Sequence, residues 1–503
     1  MPSAELTLDP HFTVGQVNRR LFGSFVEHLG RAVYDGIYEP GHPSADPDGF
    51  RTDVMELVRE MGVSTIRYPG GNFVSGFRWE DSVGPREERP VRLDLAWHST
   101  ESNQVGLEEF AGWLEKVGSE LMYAVNLGTR GVLEALDVLE YANVRSGTAL
   151  SDARIKNGRV DPHRIRMWCL GNEMDGPWQL GHRSADDYGK IASRTAKAMR
   201  QLDPDLELVV CGSSHAQMPT FGAWEHTVLR HTYDDVDYIS CHAYYEEHGG
   251  DAASFLACAT DMDHFIESVI ATADTVRAEL GRSKRINISF DEWNVWYVSR
   301  YRTEEQITDI ERWPTAPRIC EDVYSVLDGV VVGNLLISLL KHADRVTAAS
   351  LAQLINVIAP ITTEPGGPAW RQTTFFPFAI TSRLAAGVAL EVRLTSDTYT
   401  TVAYGEVPLV DAVATYEAET GRTAIFLVNR SLEESSTVSV DVSHLGPIDV
   451  LETHTLADDD IYAKNTLADR ERVGVSPNLS AVVTDGRLTV ELPPVSWTAI
   501  ALA

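Results

Sequence analysis

From about residue 20 to residue 385 the chain repeats one pattern, a short apolar run followed by a longer stretch whose apolar residues recur at three and four positions. Eight such runs occur, at 20–27, 64–72, 121–127, 166–173, 206–213, 236–244, 286–292 and 348–353. Between them the helical period is clearest over 52–61, 107–117, 184–202, 261–280 and 321–341. Strands that alternate with amphipathic helices form parallel sheets, and eight such units predict an α/β fold closed into a (β/α)8 TIM barrel. Every run ends polar: Glu27, Asn72, Asn126, Asn172 with Glu173, Ser213 with Ser214, His242 with Tyr244, Glu292 and Gln353. In this architecture the C-terminal strand ends form the rim on which an active site is assembled. Asn, Ser and similar residues end strands wherever loops begin, so Asn126, Ser213 and Ser214 say little. Carboxylates at the ends of apolar strands say more.

After residue 386 the helical period disappears, and short alternating segments punctuated by Gly, Asp and Ser follow at 388–394, 409–416, 422–428, 437–442, 450–456, 481–483, 488–492 and 495–502. They predict an antiparallel, jelly-roll-like β-sandwich. Residues 4–17 alternate in the same way and are expected to add a strand to it, which divides the chain into a barrel over 18–385 and a sandwich built from 1–17 with 386–503. The longest apolar run, 329–340, includes Asn334 and Ser338 and is far shorter than the roughly 20 residues that span a bilayer, so it reads as a buried core helix. With 43 basic against 73 acidic residues the net charge is −30, a field that repels phosphate backbones and anionic lipid heads. Neither nucleic acid nor a membrane is expected as a partner. Five cysteines without CxxC spacing suit buried thiols in a reducing compartment, and the first residues carry no basic and apolar leader pattern, so a cytoplasmic location is expected.

Two segments carry the chemistry. In Trp168-Cys169-Leu170-Gly171-Asn172-Glu173 an apolar strand delivers Asn-Glu into a loop that continues to Trp178, and in Ile288-Ser289-Phe290-Asp291-Glu292-Trp293 a second strand ends on a carboxylate among aromatics. By count these are strands four and seven, which lie nearly opposite each other in an eight-stranded barrel, so Glu173 and Glu292 can face across one cavity. Glycoside hydrolysis needs such a pair, roughly 5–5.5 Å apart in retaining enzymes and about 6.5–9.5 Å in inverting ones. One carboxylate must be ionised to attack, and its charge keeps the other protonated as the acid. Asn172 is placed to hydrogen-bond a sugar 2-hydroxyl. Each glutamate taken singly can also be read as a rim ion pair; the pair among aromatics argues against that. The histidines at 28, 42, 98, 215, 242 and 248 show no metal-ligand spacing, Arg67-Tyr68-Pro69-Gly70-Gly71-Asn72 lacks a phosphate-loop Lys, and no GxSxG occurs. No metal and no cofactor are expected.

Four segments in order, Gly23-Ser24-Phe25-Val26-Glu27-His28-Leu29-Gly30-Arg31, Arg67-Tyr68-Pro69-Gly70-Gly71-Asn72-Phe73, Gly171-Asn172-Glu173-Met174-Asp175-Gly176-Pro177-Trp178 and Asp291-Glu292-Trp293-Asn294-Val295-Trp296-Tyr297, resemble the intracellular α-L-arabinofuranosidases of glycoside hydrolase family 51. The resemblance runs over essentially the whole chain. It implies retaining removal of terminal non-reducing α-L-arabinofuranosyl groups from arabinose-containing oligosaccharides, with Glu173 as acid/base and Glu292 as nucleophile. It assigns Glu27, Asn72, Asn172, Tyr244 and Gln353 to the sugar and Trp97 and Trp296 to the pocket walls, and it implies a homo-hexamer. Where the family has Gln between the His and Tyr of strand six this chain has Ala243, followed by the acidic loop 246–251, which is expected to reshape the leaving-group subsite, while 303–317 is expected to frame the pocket mouth. The competing readings are another barrel glycosidase with carboxylates on strands four and seven, such as an endo-glucanase or xylanase, and a non-catalytic carbohydrate-binding scaffold.

Overall fold

The computed structural model describes residues 2–503. Eight strands close a barrel in which every neighbouring pair is parallel: β1 (Gly23–Phe25), β2 (Thr65–Tyr68), β3 (Glu120–Val125), β4 (Met167–Leu170), β5 (Glu207–Val210), β6 (Tyr238–Tyr245), β7 (Asn287–Val295) and β8 (Val346–Ala352). They follow one another around the barrel in chain order, as right-handed βα units require. All eight expected runs are strands, although the first begins later than its apolar pattern, because Arg19–Phe22 forms a 3-10 turn. The helices at Thr52–Met61 and Leu107–Val117 fall on their expected residues. Ser184 caps Ala185–Leu202 by accepting from the Asp187 N–H, which satisfies a donor that the first helical turn leaves free.

The apolar run at 329–340 lies in helix Val326–Lys341, capped by Ser325 and buried on every side from Val326 to Leu340. The expected start at 321 is five residues early; 321–325 is irregular, and the Ser325 cap marks where helical bonding begins. The all-round burial arises because the helix is pressed between the barrel and the second domain. At Gly333 it crosses Trp497 so closely that a Cβ would lie 2.2 Å from the indole, which leaves room for glycine alone.

The second domain is a sandwich of a five-stranded and a six-stranded sheet. Its interior is an aliphatic layer that includes Leu6, Leu390, Ile425, Val440, Val490 and Ile500. Two expectations need correction. Residues 4–17 supply two strands instead of one, Ser3–Thr7 in the smaller sheet and Thr13–Gln16 in the larger, and Ser3–Thr7 runs parallel to Ser436–Asp441. The segment 388–394 likewise divides into Val388–Leu390 and Arg393–Ser396, one in each sheet. Both segments turn a corner of the sandwich, and an alternating pattern continues through such a corner because both sheets face the same interior.

Candidate active site

The C-terminal ends of the barrel strands surround a cavity of about 560 Å³ whose walls include Glu27, Asn72, Glu173, Tyr244, Glu292 and Gln353. Trp97, Trp296 and Tyr301 supply apolar ring faces, and Trp178 stands half exposed at the mouth, nearly parallel to His215. Strand β7 carries Glu292 into the floor. Its Oε1 accepts from Arg67 Nη1 at 2.6 Å and its Oε2 from the Tyr244 hydroxyl at 2.8 Å. Glu173 lies just past β4 with φ +43°, a left-handed conformation uncommon outside glycine, which turns its side chain back over the cavity. Its Oε2 accepts from Trp178 Nε1 at 2.5 Å and its Oε1 faces His242 Nδ1 at 2.9 Å. One oxygen of Glu173, one of Glu292 and Nδ1 or Nε2 of His242 all lie within 4.8 Å of one another.

Burial pushes the Glu173 carboxyl up, and the nearby charge of Glu292 adds to that; hydrogen bonds from His242 and Trp178 oppose it. His242 answers to the reverse balance. Burial favours the neutral ring, but Glu292, Asp291 and Glu173 outweigh it and push the imidazole up to about 10. Its other nitrogen, Nε2, lies 2.9 Å from Asp291 Oδ1. With both nitrogens committed to carboxylates, the ring is a charged bridge and not a free metal donor.

A further buried carboxyl, Glu27, lines the same cavity. Glu27 accepts from the Phe73 N–H at 2.8 Å, Trp97 Nε1 at 3.0 Å and Gln353 Nε2 at 3.3 Å, while Gln353 Oε1 accepts from the Glu27 N–H at 3.0 Å. Burial prevails over these bonds and pushes Glu27 up to about 8. Gly71 makes the packing possible, since a Cβ there would lie 2.6 Å from a Glu27 oxygen.

Asn172 sits behind the cavity wall, 1% exposed; its Oδ1 accepts from Arg67 Nη2 at 2.6 Å and its Nδ2 points to Asn72 at 3.4 Å. Asn126 and Ser213 lie outside the cavity, where they bond to backbone and to Glu225, whereas Ser214 lines it. Ala243 is buried, and the 246–251 loop is tied sideways: Glu246 accepts from the Ser299 hydroxyl at 2.7 Å and Glu247 from the Tyr462 hydroxyl at 2.9 Å. Neither loop carboxylate lines the cavity. Of the 303–317 stretch, Gln306 does, and Trp313 stacks on His98 with centroids 3.7 Å apart. Three buried residues around the two carboxylates are absent from the expected site: Arg67, His242 and Asp291.

Two family profiles match the chain, an α-L-arabinofuranosidase 1 domain over residues 57–252 and an α-L-arabinofuranosidase C-terminal domain over residues 291–496. The chain is 60% identical to an intracellular exo-α-(1→5)-L-arabinofuranosidase of Streptomyces lividans, covering 100% of this chain and 76% of that protein. It is 58% identical to an exo-α-(1→6)-L-arabinofuranosidase of Bifidobacterium longum, covering 99% and 97%. The solved structure of a family 51 α-L-arabinofuranosidase from Bifidobacterium longum superposes over 100% of both chains with a TM-score of 0.96 at 48% identity. The chain belongs to the α-L-arabinofuranosidases of glycoside hydrolase family 51. As a family 51 member it is a glycoside hydrolase that acts on an arabinose-containing glycan, and the endo-glucanase, xylanase and silent-scaffold readings fall away. The two relatives, of near-equal identity to this chain, are named for different linkages. No helix among the described residues is long and apolar enough to cross a membrane.

Proposed function

We propose that the enzyme removes terminal non-reducing α-L-arabinofuranosyl groups by double displacement, with Glu292 as nucleophile and Glu173 as acid/base. The observation that carries this reading is the approach of one oxygen from each carboxylate to within 4.8 Å at the floor of the cavity. That separation belongs to the retaining class, in which the second carboxylate itself attacks, and leaves no room for the interposed water of inversion. Arg67 and Tyr244 hold Glu292 by both oxygens and aim it, so attack needs little reorganisation. Glu173, kept protonated by burial and by the charge opposite, donates its proton to the leaving oxygen. Once Glu292 is esterified that charge is gone, the Glu173 pKa falls, and the same group takes a proton from water.

Glu27, Asn72 and Gln353 are proposed to grip the sugar hydroxyls, with Asn172 supporting Asn72 from behind the wall, Tyr244 to meet the ring oxygen or the nucleophile, and Trp97 and Trp296 to cover the apolar faces. An exo mode is supported by the names of the Streptomyces lividans and Bifidobacterium longum relatives, both exo-acting arabinofuranosidases. The proposed substrates are arabinan and arabinoxylan fragments. A cytoplasmic location is supported by five buried, unpaired cysteines and by the Streptomyces lividans relative being named intracellular. A catalytic barrel over 18–385, a sandwich from 1–17 with 386–503, and assembly as a homo-hexamer complete the proposal; a monomer by light scattering removes the last.

Release of 4-nitrophenol from its α-L-arabinofuranoside, with the β-D-xyloside and β-D-glucoside as controls, tests the sugar. Proton NMR of the first-formed product tests the stereochemistry. Selective turnover with retention is expected, and inversion would remove Glu292 as nucleophile.

A further inference from the structure

Behind the two carboxylates stands a third that does not line the cavity. Asp291 is 1% exposed; its Oδ1 meets His242 Nε2 at 2.9 Å and its Oδ2 lies 3.8 Å from Arg67 Nε. On the cavity side, His242 Nδ1 lies 2.9 Å from Glu173 Oε1 and 3.6 Å from Glu292 Oε2. The other titratable groups near this ring are Arg67 of β2, the buried thiols of Cys169 and Cys211 from the β4 and β5 ends, and Tyr244 of its own strand, whose hydroxyl is given to Glu292. Burial pushes both thiols up, so they stay neutral.

We propose that Asp291 is a positioning residue that fixes His242 as a permanent imidazolium, so that one negative charge passes from Glu292 to Glu173 and back while the buried cluster stays neutral. This rests on the roles given above to Glu173 and Glu292. In the resting enzyme Arg67 and His242 balance Asp291 and Glu292, and the proton sits on Glu173. In the first step a Glu292 oxygen bonds to the anomeric carbon and the glycosidic C–O bond breaks, its electron pair leaving with the oxygen, which takes the Glu173 proton. Glu292 is now a neutral ester and Glu173 the anion, so the same two cations balance Asp291 and Glu173. In the second step the water oxygen bonds to the anomeric carbon, its proton goes to Glu173, and the ester C–O bond breaks to restore the Glu292 carboxylate. His242 reaches both carboxylates from one position, so the charge moves while the cation does not. Without that cation, both stages of each turnover would leave a buried negative charge without its partner, which is severely unfavourable.

The test is Asp291→Asn, which keeps an acceptor for His242 Nε2–H and removes the charge. Asp291 no longer favours the imidazolium, so His242 gives up its proton more readily, and the carboxylates it faces, having lost that cation, should hold protons to higher pH. The bell-shaped kcat/KM profile on 4-nitrophenyl α-L-arabinofuranoside is expected to move about one pH unit towards alkali. The second step needs ionised Glu173, so below neutral pH a burst of 4-nitrophenol should precede a steady rate lower by about tenfold. Azide, which needs no base, should raise that steady rate. His242→Gln removes the cation itself and is expected to shift the profile the same way, and the double variant should add no further shift because both act through one charge. This second variant carries the test if Asp291→Asn does not fold. A folded variant with an unmoved profile and no burst, its rate merely lowered at every pH, would overturn the proposal. A wild type that leaves the arabinofuranoside intact would instead sink the functional reading, and this inference with it.

Discussion

Two of the buried charge clusters in this molecule are built to opposite ends. At the seam between barrel and sandwich, Asp411 accepts from Arg430 Nη2 and Asn334 Nδ2 at 2.8 Å each and from Lys341, while Arg430 Nε also reaches Asn334 Oδ1 at 2.9 Å. Burial would raise the Asp411 carboxyl, but Lys341 and Arg430 prevail and hold it well below the usual carboxylate range. At the floor of the active site the balance is reversed. Carboxylates crowd around two cations, and the carboxyl nearest the mouth, Glu173, is pushed up by burial and by Glu292. The first cluster has no proton to give and serves as a lock. The second has one carboxyl more than its two cations can balance, so it must hold a proton it can give, and such a cluster can do chemistry.

The comparison can be broken most severely at Glu292. Glu292→Ala is expected to lose turnover on every substrate by on the order of 10⁵-fold, with azide restoring part of it as the glycosyl azide of opposite anomer; comparable activity in the variant would place the nucleophile elsewhere. Glu173→Ala should lower kcat/KM on natural glycosides by about 10³–10⁴-fold yet spare it on aryl glycosides with good leaving groups, whose first step needs little protonation. Equal losses on both substrate types would end its role as acid. The lock fails differently. Asp411→Ala leaves Lys341 and Arg430 facing each other without an anion and should cost about 3–5 kcal/mol in chemical denaturation, with the kcat of the folded fraction unchanged.

A smaller effect sharpens the contrast through pH. Asp411 has a depressed carboxyl, so its stabilisation is present above the unfolded carboxylate range and is lost only as pH falls through its lower folded value; it is silent across neutral pH. Glu27 is raised from 4.5 to about 8 and His242 from 6.5 to about 10, so each contributes stability below its unfolded value and loses it as pH rises through the folded one. The melting temperature should therefore fall as pH rises from about 5 to about 10. Glu27→Gln should flatten the lower part of that decline. A melting curve independent of pH over this window would contradict the assignment of both groups.

The difference between the clusters also explains what the sequence could disclose. The eight strands and their polar ends were legible because a barrel strand is short, apolar and followed by a helix, and Glu173 and Glu292 stand where that period stops. The helix Val326–Lys341 was legible as buried but not as a seam, since all-round apolarity does not say what covers it. His242 and Asp291 were not legible as partners. Strict alternation sends Asp291 and Glu292 to opposite faces of β7, and the register between β7 and β8 shifts between Phe290 and Trp293, with another shift on β6 between Ser240 and His242. Such irregularities re-aim side chains at a barrel rim, and here they bring adjacent carboxylates to one imidazole. Nothing in the residue types at 240–242 or 290–293 announces them. Arg67 was passed over for a simpler reason: it lies within an apolar strand, and only the carboxylates arriving from distant strands give its buried charge a purpose.

The central claim, that Glu292 forms a covalent bond to the sugar and Glu173 releases it, is tested most directly by trapping. Glu173→Ala turning over an aryl α-L-arabinofuranoside with a good leaving group completes the first step and stalls in the second, and acid quenching followed by peptide mass spectrometry locates the adduct. The account predicts one pentosyl group on the peptide that carries Glu292, disappearing when azide is added. An unmodified enzyme, or a pentosyl group on Glu27 or another carboxylate, would contradict it.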